Sequence, residues 1–147
     1  MTARCSNEPY LLLMEASRAV QDKVRVDAAR WGLNITEFYV LEVLHLKGSQ
    51  TIQQIAANIL VSSGSMTYVI DKLEKRGIIV RNPCPKDRRV IHIELTPEGR
   101  SLMEEIMLEH RALLENIFKV LEPQEEETLV NLLGKIKSQI SDLNIEE

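Results

Sequence analysis

Aromatic residues make up only 4% of this 147-residue chain, and it has only two cysteines and six glycines. Each scarcity excludes something. Few aromatics and short β-branched runs argue against a sheet-dominated fold and leave helix as the main element. Cys5 and Cys84 make no disulfide framework, which fits a reducing compartment, so the expected location is the cytoplasm. No apolar run lasts the roughly 20 residues that a transmembrane helix needs. The stretch Met1–Pro9 lacks the apolar core of a signal peptide. Internal repeats and low-complexity tracts are missing too. What remains, 44% hydrophobic and 27% charged, is the composition of a chain with one real core.

A basic balance is also lacking, for the formal net charge is −4. The sum conceals a gradient. Residues 1–61 hold six bases and six acids, and residues 101–147 hold four bases against eleven acids. The middle, 62–100, holds eight bases against five acids. Affinity for phosphate follows the local field, so nucleic acid stays open as a partner.

Leu13, Ala16, Val20, Val24 and Trp31 recur at steps of three, four or seven, which predicts an amphipathic helix over Pro9–Trp31. Gly32 and Asn34 interrupt it. Thr36 is placed to cap a second helix running to about Gly48, with Phe38, Leu41 and either Leu44 or Leu46 inward. Gly48-Ser49-Gln50 reads as a turn. Thr51 and Gln54 then match a capping box opening a short helix that ends near Leu60. A further helix starts at Ser62-Ser63-Gly64-Ser65, carries Met66, Val69, Ile70 and Leu73 inward, and stops at Lys75-Arg76-Gly77. Two short helices around a tight turn form a helix-turn-helix pattern.

The next segment narrows the fold. Ile78-Ile79-Val80-Arg81 is strand-like, and Ile91, Ile93 and Leu95 alternate with period two. The loop Asn82–Arg89 between them holds Pro83 and Pro85, which keep it out of any ladder. A helix-turn-helix followed by a hairpin with a basic tip is a winged helix. Thr96-Pro97 opens a long helix to about Leu121, with Leu102, Ile106, His110, Leu113, Ile117 and Leu121 on one stripe. Pro123 breaks it. A last helix carries Leu129, Leu132, Leu133, Ile136, Ile140 and Leu143. The expected fold is mainly α with a small β-wing. It has an N-terminal dimerisation helix (1–34), a winged helix-turn-helix DNA-binding domain (35–96) and C-terminal dimerisation helices (97–147). At ~1.5 Å per residue the long helix outreaches so small a core, and a second copy of the chain covers its stripe most simply.

Ser62, Ser63, Ser65, Thr67, Tyr68 and Lys72 form the polar side of the recognition-helix candidate. Short hydroxyls beside free backbone N–H groups suit phosphates and base edges, although serines also serve simply as caps. Lys86, Arg88 and Arg89 at the wing tip serve no core, and arginine is the residue that enters a narrow minor groove. Asp87 is placed to hold the Arg89 guanidinium by a charge-assisted bond. Enzymology finds little. His45, His92 and His110 lie on three elements without metal-ligand spacing, and there is no phosphate loop or nucleophile elbow. No cofactor and no metal is expected. Glu125-Glu126-Glu127 complements a helix dipole.

The stretch Asp87-Arg88-Arg89 through Leu95-Thr96-Pro97-Glu98-Gly99 resembles the wing signature of the MarR family of bacterial transcription regulators. Helix order and length match as well. The resemblance implies a homodimer on a pseudopalindromic operator of double-stranded DNA, usually repressing. Release is usually by a small phenolic or anionic effector or by cysteine oxidation. It assigns Asp87 and Arg89 to the wing and Ser62 to Lys72 to the recognition helix. It also sets the effector crevice near Trp31, Phe38 and Tyr39, which as residues alone read equally as a core plug. Some family members sense oxidants through a cysteine near the start of the first helix, and Cys5 lies slightly upstream of that place. Cys84, between two prolines and near Lys86 and Arg88, is the other redox candidate. The competing function is a winged helix used for protein interaction, which the acidic tail favours and the three wing bases oppose.

Overall fold

In the computed structural model, which describes residues 7–59 and 65–143, helix α1 (Glu8–Ala29) is followed by α2 (Ile35–Lys47). Asn34, rather than Thr36, is the N-cap of α2. Its side chain accepts from the Glu37 N–H at 2.8 Å, and Glu37 Oε1 accepts from the Asn34 N–H at 3.1 Å. Two reciprocal bonds outweigh one hydroxyl, so the helix begins earlier and Thr36 lies buried inside it. Inward from α2 come Phe38, Leu41 and Leu44, while Leu46 faces solvent.

The segment read as a turn at Gly48-Ser49-Gln50 instead leads into a strand, β1 (Gln50–Thr51). It pairs antiparallel with β3 (Ile91–Leu95), and β3 pairs on its other side with β2 (Ile79–Pro83). The sheet order is β1-β3-β2. Two residues cannot display an alternating pattern. This strand exists because β3 has an edge to offer. Pro83 also differs from expectation, for it sits inside β2 opposite Ile91. An edge strand tolerates the missing N–H.

Between the strands lie α3 (Ile52–Asn58) and α4 (Met66–Lys75). The Thr51/Gln54 capping box is formed, with bonds of 2.9 and 3.1 Å. Ile55 of α3 packs inward with Val69, Ile70 and Leu73 of α4, Ile79 of β2 and Ile93 and Leu95 of β3.

Helix α5 (Pro97–Phe118) starts where the sequence expects it. Thr96 Oγ1 accepts from the Gly99 N–H at 3.0 Å and donates to the Gly77 carbonyl at 2.6 Å. Gly99 is required there. A Cβ at that position would lie 2.1 Å from the Ile78 carbonyl oxygen. The Leu-Thr-x-x-Gly spacing is thus a joint that lets helix and strand approach to backbone contact. Met103, Ile106, Met107 and His110 are the buried residues of α5 after Gly99. The helix stops at Phe118, three residues before the expected end.

Backbone contacts divide the chain into two units, Met1–His110 and Arg111–Glu147. The second contains α6 (Pro123–Leu143). Pro123 opens this helix, and Glu125 Oε1 accepts from the Glu122 N–H at 2.9 Å, completing its start. No residue of α6 is buried, and Leu132, Leu133, Ile136, Ile140 and Leu143 are all exposed. Among the described residues no helix is long and apolar enough to cross a membrane.

Candidate nucleic-acid interface

Helix α4 begins at its N-cap Ser65, whose hydroxyl accepts from the Tyr68 N–H at 3.4 Å. The expected start at Ser62 is therefore moved three residues on, and Ser62 and Ser63 lie outside the described residues. Because Val69, Ile70 and Leu73 point inward, Thr67 and Tyr68 face solvent. Lys72 lies on one flank, its Nζ 3.5 Å from Glu37 Oε1. Arg76, one turn later on the same flank, donates to the Gly32 carbonyl at 3.0 Å. Gly32 has φ 72°, a conformation that ends α1 and turns this carbonyl toward α4. On the opposite flank, Arg81 of β2 donates to Asp71 and, at 2.8 Å, to Glu74 Oε1. The Asp71 bond, opposed by partial burial and helped by Glu74, raises the Arg81 pKa above its ordinary value.

The wing tip is a locally tied loop. Cys84 donates its N–H to the Val90 carbonyl at 2.8 Å, and Val90 donates to the Asp87 carbonyl at 3.0 Å. Asp87 Oδ1 accepts twice from Arg89, from the backbone N–H at 3.0 Å and from Nε at 3.3 Å. The rest of the guanidinium is open, for the Arg89 side chain is 93% exposed. Lys86 and Arg88 are exposed beside it. Three cations and one carboxylate at a pinned tip present a net positive point to solvent. Free guanidinium N–H groups aimed outward suit phosphate oxygens or the acceptors of a narrow groove.

Cys84 is a free, half-buried thiol. It lines a cavity of about 370 Å³ on the outer face of the sheet with Ser49, Asn82, His92 and Glu94. Asn82 Nδ2 donates to Glu94 Oε1 at 2.8 Å, and Ser49 Oγ lies 3.2 Å from His92 Nδ1. Cys5 lies outside the described residues. No group of three or more histidine, cysteine, aspartate or glutamate side chains among the described residues is placed to hold a metal ion.

Phe38 and Tyr39 are both buried, with ring centroids 5.7 Å apart. The Phe38 ring also lies 5.0 Å from the His110 ring, and His110 Nε2 sits 3.3 Å from Glu42 Oε2. Burial above all, and then Glu42, raises the Tyr39 pKa against the opposing charge of Arg25. Trp31 is half-buried, and its Nε1 is a buried donor without a hydrogen-bond partner; the His110 Nδ1 atom is buried and unpartnered as well. The Glu42–His110 contact was missed by sequence reasoning. A histidine within an apolar stripe was the one available signal.

A winged helix with a cationic wing tip and a polar outward face on its second helix defines the class: a DNA-binding transcription regulator. A MarR family model matches residues 33–91. The HTH-type transcriptional regulator MhqR of Bacillus subtilis (strain 168) is 39% identical over 127 residues, covering 86% of this chain and 88% of that protein. Among solved structures, BpsR of Bordetella bronchiseptica, whose DNA binding is regulated by 6-hydroxynicotinic acid, has TM-score 0.78 and 25% identity. That match covers 93% of this chain and 98% of the other. A mutant of E. coli MarR complexed with operator DNA has TM-score 0.74 and 25% identity, covering 91% and 99%. The chain belongs to the MarR family.

Proposed function

We propose that the chain is a cytoplasmic, homodimeric repressor that binds a pseudopalindromic operator and leaves it when a small aromatic or anionic ligand binds. The observation that carries the DNA reading is the wing tip, where Arg89 is oriented by Asp87 and otherwise wholly open. In this reading α4 enters the major groove with Thr67 and Tyr68 foremost, and Lys86, Arg88 and Arg89 grip the adjacent minor groove or its phosphates. A relative in complex with operator DNA supports it.

The dimer reading rests on apolar side chains that the single chain leaves in water. Tyr10, Leu11 and Leu12 on α1, and Leu132, Ile136 and Ile140 on α6, are among them. So much exposed apolar surface on two helices marks an interface. Residues 1–34 and 97–147 then serve dimerisation, and 35–96 serve DNA. Two recognition helices in such a dimer stand about 34 Å apart, one turn of duplex.

The ligand reading draws on Trp31, Phe38 and Tyr39, beside which the resemblance sets the effector crevice. A buried donor without a partner, Trp31 Nε1, suits a phenolate or carboxylate oxygen. The hydroxylated aromatic acid that regulates BpsR is of that chemistry. Modification of Cys84 is the alternative route of release, favoured by the cavity beside its thiol. The direct test is a gel shift on the DNA upstream of the chain's own gene. Salt-sensitive, two-fold symmetric protection is expected. Absence of any protected site, or sedimentation as a monomer at micromolar concentration, overturns the reading.

A further inference from the structure

Two helices among the described residues open on capping boxes, and the boxes differ in one respect. In α3 the reciprocal partner is the neutral, exposed Gln54. In α2 it is Glu37, only 1% exposed. A neutral amide closes the same box without burying charge, so capping does not account for the carboxylate. A buried carboxylate needs a cation, because desolvation disfavours it otherwise. Glu37 Oε1 already accepts from the Asn34 N–H and lies 3.5 Å from Lys72 Nζ, and its Oε2 has no hydrogen-bond partner. Two positive groups face the charge: the N-terminus of α2, in whose first turn it stands, and Lys72, which reaches it from the flank of α4.

We propose that Glu37 is a positioning residue for DNA binding, seating the recognition helix through Lys72, and that Lys72 is a strut rather than a phosphate contact. The inference rests on reading α4 as the helix that enters the groove. Lys72 and Arg76 stand one turn apart and reach Glu37 in the first turn of α2 and the Gly32 carbonyl just before it, so α4 is tied at two points along one flank. Asp71 and Glu74 tie the other flank to Arg81 of β2. Ties on both flanks oppose rolling of α4 about its own axis. The roll decides whether Thr67 and Tyr68 face the groove, since a helix turns 100° per residue. Loss of the Glu37–Lys72 tie leaves that flank held at Arg76 alone while the wing stays in place.

The test is operator affinity by fluorescence anisotropy across a salt series, using the DNA upstream of the chain's own gene. Glu37→Gln keeps the capping oxygen and removes the charge, and Lys72→Met removes the cation from a half-exposed side chain. Each is expected to weaken binding about fivefold, with the double variant no weaker than either single one. The slope of log affinity against log salt is expected to stay as in the wild type, because no phosphate contact is lost. Lys72→Arg, which keeps the pair, recovers most of the affinity. The proposal is overturned if Lys72→Met lowers the slope by about 0.9, the share of one phosphate. It is equally overturned if Glu37→Gln binds as the wild type does, or if the two effects add. Lys72→Met keeps the test open should Glu37→Gln fail to fold. Arg89→Ala and Tyr68→Ala in the same series separate the two levels. If neither weakens binding, the winged-helix interface itself is misassigned. If both weaken it and the Glu37 and Lys72 variants do not, only the strut fails.

Discussion

The wing tip and the start of α2 use the same kinds of charge under opposite conditions. At the wing, Asp87 and Arg89 bond within a two-residue span and stand in water. At the start of α2, Glu37 is buried and its cation comes from another helix. A solvated local pair contributes little to stability and leaves its arginine available to a partner. A long-range pair with a buried carboxylate is committed to holding elements together. Charge therefore reads as recognition in one region and as construction in the other.

The largest expected effect comes from attacking the constructed side. Phe38→Ala removes a fully buried ring packed against Tyr39 and His110, and should lower the unfolding free energy by about 3–5 kcal/mol. Chemical denaturation measures it, and a loss below about 1 kcal/mol would break the contrast. Arg89→Ala should do the reverse, weakening operator binding about ten- to a hundredfold with an unchanged denaturation midpoint. A shifted midpoint would mean the wing is structural after all. Asp87→Ala should weaken binding in the same direction but less, since it removes only the orienting bond.

A smaller effect sharpens the comparison through pH. Burial raises the Tyr39 pKa above its ordinary value of 10.0. A raised folded pKa means that the folded chain keeps a proton that the unfolded chain loses. The associated stability is complete below about pH 10 and is lost as pH rises through the folded value. Tyr39→Phe should flatten the alkaline decline in melting temperature, and an unaltered decline would assign it to other groups. Smallest is the thiol effect. Alkylation of Cys84 should weaken operator binding modestly by adding bulk to the wing, and the Cys84→Ser protein should be insensitive to the same treatment.

What was legible in the sequence follows the same division. The Thr51/Gln54 box, the Thr96-Pro97 helix start and the Asp87–Arg89 bond are local. Spacing alone displays them. The contacts that seat α4 are not local: Arg76 and Gly32 stand 44 positions apart. Nothing in either neighbourhood announces the other. β1 was illegible for a related reason, because two residues become a strand only when β3 lies alongside. Thr36 was misread as a cap since two capping-competent residues stood close together, and the reciprocal glutamate decided between them. The apolar stripe of α5 was read correctly at Ile106 and His110 but omitted Met103 and Met107, which the fold also buries.

The tied loop at the wing tip has a bearing on how the protein would search DNA. Pro83 and Pro85 bracket Cys84, Cys84 and Val90 are hydrogen-bonded through the backbone, and Asp87 holds Arg89. A loop so restrained loses its conformational freedom when the chain folds, not when it meets the duplex. In the proposed complex it would reach the groove as a gauge of fixed size. Such a probe cannot mould itself to a groove that is too wide, so mismatched sequences are rejected by fast dissociation rather than by slow adjustment. Replacing Pro85 with glycine should therefore narrow the gap between specific and non-specific affinity even where the contacts themselves are unchanged.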